Sequence, residues 1–106
     1  NADNLREMAN DWDFSDEGRK RQSYRMRALA DFEIENNRKV ICDFICPTRE
    51  SRKIFGADYT IWMDTIKESN YKDTDKIFEE PNNFDLKISK WNQYSPFEVA
   101  DLIKNV

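Results

Sequence analysis

The chain has no histidine, two glycines, three prolines and two cysteines in 106 residues. Without an imidazole, Ser-His and Cys-His nucleophilic catalysis are excluded, so any chemistry would rest on positioning, carboxylates, cations or metal. A structural zinc site needs about four converging Cys, His or carboxylate ligands, and none is expected here; no metal ligands are assigned. Cys42 and Cys46 fall four apart in what reads as one strand, roughly 13 Å between Cα atoms, which is too far for a disulfide and predicts reduced thiols. No apolar run approaches the ~18 residues of a membrane span, and the opening "NADNLRE" lacks the basic and apolar regions of a signal peptide. A cytoplasmic protein with no membrane partner is expected. With so little glycine and proline there is no linker, repeat or low-complexity tract, and elements must follow one another closely. The 39% hydrophobic content suits a modest core, hence one domain over 1–106. The 17 basic and 21 acidic residues give a net charge of −4. That argues against a nucleic-acid partner and requires any phosphate to be held by a local patch.

What is present alternates helix and strand. Asp3 can cap a short helix whose residues Leu5, Met8, Ala9 and Trp12 recur at i, i+3, i+4 and i+7, an apolar stripe. Ser15, followed by Asp16 and Glu17, starts a second helix running to about residue 36, with a broad and imperfect apolar face. Residues 39–46 are nearly all apolar and are bounded by Asn37 and Pro47, which predicts a strand covered on both faces. A short helix over 48–55 is stopped by Gly56, and "ADYTIWMDT" predicts a second strand with Tyr59, Ile61 and Met63 on one face. The stretch "IKESNYKDTDKIFEEPNN" is polar and aperiodic, which predicts a loop, and "FDLKIS" is a weak third strand. Ser95-Pro96-Phe97-Glu98 is a capping box opening a final helix with Val99, Leu102, Ile103 and Val106 as its stripe. The fold class expected is α/β with a mostly parallel sheet. In such sheets ligands gather at the carboxyl ends of strands, here at Pro47, Thr48 and Arg49.

Several of these segments resemble, in order, the motifs of the adenylylsulfate kinases, P-loop enzymes that phosphorylate the 3′-hydroxyl of adenosine 5′-phosphosulfate with ATP. "NADNLRE" is similar to the family's D-G-D-N-x-R segment, "DFSDEGRKRQ" to G-F-S-D-x-x-R-x-x-N, and "VICDFICPTRESR" to the strand ending in F-I-S-P-Y-R-x-x-R. "ADYTIWMDT" resembles the strand carrying E-V-Y-V-D-T, "IFEEP" the Y-E-x-P segment, and "FDLKIS" with "SPFEVADLI" the final strand and helix. The resemblance spans almost the whole chain and is nearest to the shortened forms seen in marine phage and metagenomic sequences. It implies a role in sulfate assimilation and a P-loop kinase-type three-layer α/β/α fold. It further implies that Asp3 and Arg6 contact the acceptor nucleotide, that Phe14 packs on adenine, and that Arg19 and Gln22 meet the phosphosulfate. Ile45 and Arg49 would line the pocket. Cys46 stands where the family has serine.

In the family, ATP and Mg²⁺ are held by a G-x-x-x-x-G-K-[ST] loop, and no such run occurs in the 106 residues. The resemblance therefore implies a partial domain that lacks the first strand and P-loop, retains the acceptor half, binds no cofactor tightly and has no catalytic residue or kinase activity alone. The family's basic lid corresponds to a shortened stretch with Lys67, Lys72 and Lys76. Unpaired strand edges would favour a homo-oligomer. Two other functions fit the same residues: a non-catalytic binding or assembly protein that has kept the fold, and a kinase of another small hydroxyl compound. Each residue also has a plainer use. Asp3 serves as a helix cap, Phe14 and Trp12 as core, and Arg52 and Lys53 as complements of a helix dipole. Arg19, Lys20, Arg21, Arg25 and Arg27 can form a solvated face pairing with Asp16, Glu17 and Asp31.

Overall fold

Asn1 begins the first helix, α1 (Ala2–Ala9), its side-chain oxygen accepting from the amides of Asp3 at 2.9 Å and Asn4 at 3.4 Å. The cap is therefore Asn1 and not Asp3, which lies in the first turn, where its carboxylate complements the helix N-terminus. The computed structural model describes residues 1–66 and 69–106, and these form two units, Asn1–Gly56 and Ala57–Val106. Lys67 lies outside the described residues. The described residues are mixed α/β, with five helices and one two-stranded parallel sheet.

In the first unit α1 ends at Asn10, left-handed at φ 49°, and the chain returns to α2 (Asp16–Glu35). Ser15 caps α2, accepting from Gly18 N, and Asn36 ends it, as the pattern predicts. Helix α3 (Arg49–Phe55) is capped by Thr48 and stopped by Gly56 at φ 64°, a conformation that costs glycine no steric strain. α2 packs on both α1 and α3. The Arg27 guanidinium donates to the carbonyls of Phe55 and Gly56, groups a helix end leaves without partners. The buried residues of α2 are Gly18, Arg19, Gln22, Ser23, Met26 and Ala30, a stripe at four-residue spacing whose first half is polar.

Two expectations for this unit fail. The stripe of α1 is not buried: Met8 is 81% and Trp12 50% exposed, whereas Arg6 is 5% exposed. The helix stops three residues before Trp12, and Arg6 turns inward, where it finds carbonyl partners on the segment leading to α2. Residues 39–46 form no strand, and Ile41 is 82% exposed. Among the described residues no ladder partner lies beside them, and an apolar run becomes a strand only where a neighbour takes up its amides and carbonyls. Two of their carbonyls are used otherwise, Asp43 O accepting from Ala2 N and Cys46 O from Arg52 Nε, each at 3.0 Å. The Phe44 ring meets Phe55 edge-on at 5.2 Å.

In the second unit β1 (Ile61–Met63) pairs in parallel with β2 (Leu86–Ile88), Ile61 opposite Leu86 and Met63 opposite Ile88. Both strands fall where the sequence places them. Trp62 packs on Phe84 at 5.4 Å and under the Lys87 ammonium at 4.3 Å, while Lys87 also pairs with Asp64. The polar stretch expected to be loop contains helix α4 (Lys72–Ile77). Its start is held by Asp75, which accepts from the amide and hydroxyl of Ser69, a local bond that hydrophobic periodicity does not register. Lys72 and Lys76 lie on α4, both exposed. Helix α5 (Pro96–Ile103) carries the complete capping box, Glu98 N to Ser95 Oγ at 3.1 Å and Ser95 N to Glu98 Oε1 at 3.0 Å. Among the described residues no helix is long and apolar enough to cross a membrane.

Candidate functional site

Between α1, α2 and the turn entering α3 the first unit has a partly open cavity of about 60 Å³. Asp3, Arg6, Phe14, Arg19, Gln22 and Ile45 all line it, so six of the seven residues singled out in the sequence converge on one place. The seventh, Arg49, does not line it and is exposed at the first position of α3. Residues two apart on a helix point about 200° from each other, so the residue α3 turns toward the cavity is Ser51.

The two cavity arginines are held by the segment that joins α1 to α2. Arg6 donates to the carbonyls of Asp11 at 3.0 Å and Asp13 at 3.2 Å, and Arg19 donates through Nε to Phe14 O at 2.9 Å. Both guanidiniums lie against the Phe14 ring, at 4.4 Å for Arg6 and 5.4 Å for Arg19. Arg6 is 5% and Arg19 8% exposed, while Phe14 keeps 48% of its surface open. Gln22 binds Ala2 O through Nε2 at 3.0 Å and accepts from Arg25, tying α2 to the first turn of α1. Asp3 and Ile45 stand exposed at the rim.

The electrostatics favour an anion. Burial lowers the Arg6 pKa first, against the pull of Asp11, and the charges of Arg19 and Arg25 lower it further. The bonds of Arg6 go to carbonyls, which meet N–H groups without bringing an opposite charge. The carboxylate of Asp11 is engaged on the other side. It takes two bonds from Arg21, at 2.7 and 3.1 Å, and one from Arg25 at 2.7 Å. These bonds, Arg21's foremost, hold its pKa well below the usual carboxylate range. The basic face of α2 is thus divided: Lys20 and Arg27 pair on the surface with Asp16 and Asp31, Arg21 and Arg25 brace Asp11, and Arg19 turns inward.

The floor of the cavity is Ser23, Cys46, Pro47 and Ser51. Cys46 has φ 44°, uncommon for a residue with a Cβ and worth about 1 kcal/mol of strain. Arg52 keeps the turn in this shape, donating to Cys46 O and Pro47 O, both at 3.0 Å. This is what an arginine does at the end of the apolar run: it ties carbonyls rather than only complementing a dipole. The Cys46 thiol meets Ser23 Oγ at 3.8 Å, and burial pushes its pKa up, so it stays protonated near neutrality and is a poor nucleophile.

Sequence reasoning missed Asp11, Gly18, Ser23 and Ser51. Gly18 is the one with a signal, as a lone glycine inside a helical pattern. A Cβ there would lie 2.1 Å from Asp13 O, so its absence lets the joining segment close over α2. Among the described residues no cluster of three or more His, Cys, Asp or Glu is placed to hold a metal ion. No family model matches the chain, and no curated protein or solved structure matches it.

Proposed function

We propose that the unit Asn1–Gly56 is an adenylylsulfate kinase-like acceptor site, which holds the anionic end of a nucleotide such as adenosine 5′-phosphosulfate. The observation that carries this reading is that Arg6, Arg19, Gln22, Phe14, Asp3 and Ile45, separated by up to 42 positions, line one cavity in which two buried guanidiniums keep their charge. In this reading Arg6 and Arg19 hold the anion, Asp3 accepts from a sugar hydroxyl at the rim, and the open part of Phe14 with Ile45 supports the base. The fold that goes with it is a partial P-loop kinase-type three-layer α/β/α arrangement, supported by the parallel pairing of β1 with β2. Transfer of a phosphoryl group from ATP belongs to the P-loop of the family, a motif these 106 residues do not contain. The role assigned to them is acceptor binding.

Isothermal calorimetry with adenosine 5′-phosphosulfate tests the reading. Binding to the chain is expected, weakened about tenfold or more in Arg19→Ala, because a hydrogen bond between charged groups contributes roughly 1.5–3 kcal/mol. No heat with the unaltered chain, or equal affinity in the variant, overturns it.

A further inference from the structure

Ser51 is 1% exposed and lines the cavity, and its hydroxyl oxygen has no hydrogen-bond partner among the described residues. Buried polar atoms without partners are rare in folded proteins, because each loses its bonds to water and gains nothing in return. The backbone offers no account of this one: the Ser51 amide is already bonded to the capping hydroxyl of Thr48, and the side chain takes no part in that cap. Its placement does. Across a cavity of about 60 Å³ it shares the lining with Arg6 and Arg19, both less than a tenth exposed and both cationic. That volume has room for more than a single water and suits a small tetrahedral oxyanion.

We propose that Ser51 is a ligand-binding residue, its hydroxyl donating to a tetrahedral sulfate- or phosphate-type oxyanion that Arg6 and Arg19 hold in the cavity. This rests on the anion-binding reading above and deepens it: the cavity selects the oxyanion, and whatever is esterified to it lies outside, over Phe14 and Ile45. A hydroxyl donating to a negative oxygen makes a short, charge-assisted bond, so with ligand bound it contributes affinity.

The test is titration of the full chain with inorganic sulfate, inorganic phosphate and adenosine 5′-phosphosulfate, comparing unaltered protein, Ser51→Ala and Arg19→Ala, with thermal melts of each ligand-free sample. Ser51→Ala is expected to melt at the same temperature or higher, since it removes an unsatisfied buried hydroxyl, and to bind the oxyanion about tenfold or more weakly. In the unaltered chain the amide resonance of Ser51 is expected to shift with sulfate, a readout independent of how any variant folds. Affinity of Ser51→Ala within twofold of the unaltered chain, with Arg19→Ala impaired, overturns the role of Ser51 and leaves the anion reading standing. An unmoved Ser51 resonance at saturating sulfate overturns it as well. Binding of inorganic oxyanions without binding of the nucleotide supports the oxyanion site and removes the nucleotide. Binding of none of the three overturns both readings.

Discussion

A buried arginine is costly unless its N–H groups are met, and here the partners of Arg6 are carbonyls of the segment joining α1 to α2. Two carbonyls meet the guanidinium through Nη1 and bring no opposite charge of their own. The arrangement depends on the segment lying tight against α2, and Gly18 is where the approach is closest. Gly18→Ala is a sharp test because two effects oppose. Alanine favours a helix interior by about 1 kcal/mol, but its Cβ would stand 2.1 Å from the backbone oxygen of Asp13. Steric overlap of that size costs more than propensity returns, so a net loss of about 1–3 kcal/mol is expected in urea unfolding, together with weakened oxyanion binding. A variant as stable as the unaltered chain would mean that the segment does not close over Gly18. Nothing in the hydropathy of Asp11 to Ser15 foretells this closure; it depends on side-chain bonds across ten positions, Arg21 to Asp11.

Among the elements, those that follow their sequence signals are the ones stabilised by their own residues. Ser15 and Ser95 cap their helices at the positions where their hydroxyls were expected to, and Gly56 ends α3, whose cap is Thr48. The capping box of α5 is exposed and local, which makes its contribution separable. Ser95→Ala is expected to lower the stability of the unit Ala57–Val106 by about 1 kcal/mol, seen as an earlier loss of helical signal in urea, whereas Ser89→Ala, remote from any cap, leaves it unchanged. The elements that depart from expectation are those needing something from elsewhere. Residues 39–46 have the composition of a buried strand but no ladder beside them, and α1 buries an arginine in place of its apolar stripe. The imperfect face of α2 has a physical cause: Met26 and Ala30 pack as core while Arg19, Gln22 and Ser23 continue the same stripe into a polar cavity. Hydrophobic periodicity sees only the apolar half of such a face.

At the scale of the whole chain, a molecule of net charge −4 buries two arginines at one small pocket of its first unit. The carboxylates that permit this clustering of arginines titrate at low pH. Asp11, 13% exposed at its side chain, has its pKa depressed by bonds from Arg21 and Arg25, and Asp13 is depressed by its bonds to Ser15 and by Arg21. A carboxylate with a lowered folded pKa gives stability that is complete above the unfolded value near 4 and is lost as pH falls through the folded one. The unit Asn1–Gly56 is therefore expected to hold its stability from neutral pH down to about 4 and then to weaken, with Asp11→Asn less stable at pH 7 and flatter below pH 4. Parallel acid limbs in the two proteins would contradict the role of Asp11. By itself the sequence determined the chain's charge, the caps at Ser15 and Ser95 and the places of the two short strands, because these rest on residue chemistry and on patterns a few positions long. Tertiary structure alone decided that Arg49 turns outward and Ser51 inward, that Arg6 is buried, and that an apolar run stays unpaired. Each of these depends on which groups meet across the fold, and burial rewards partners that local sequence does not name.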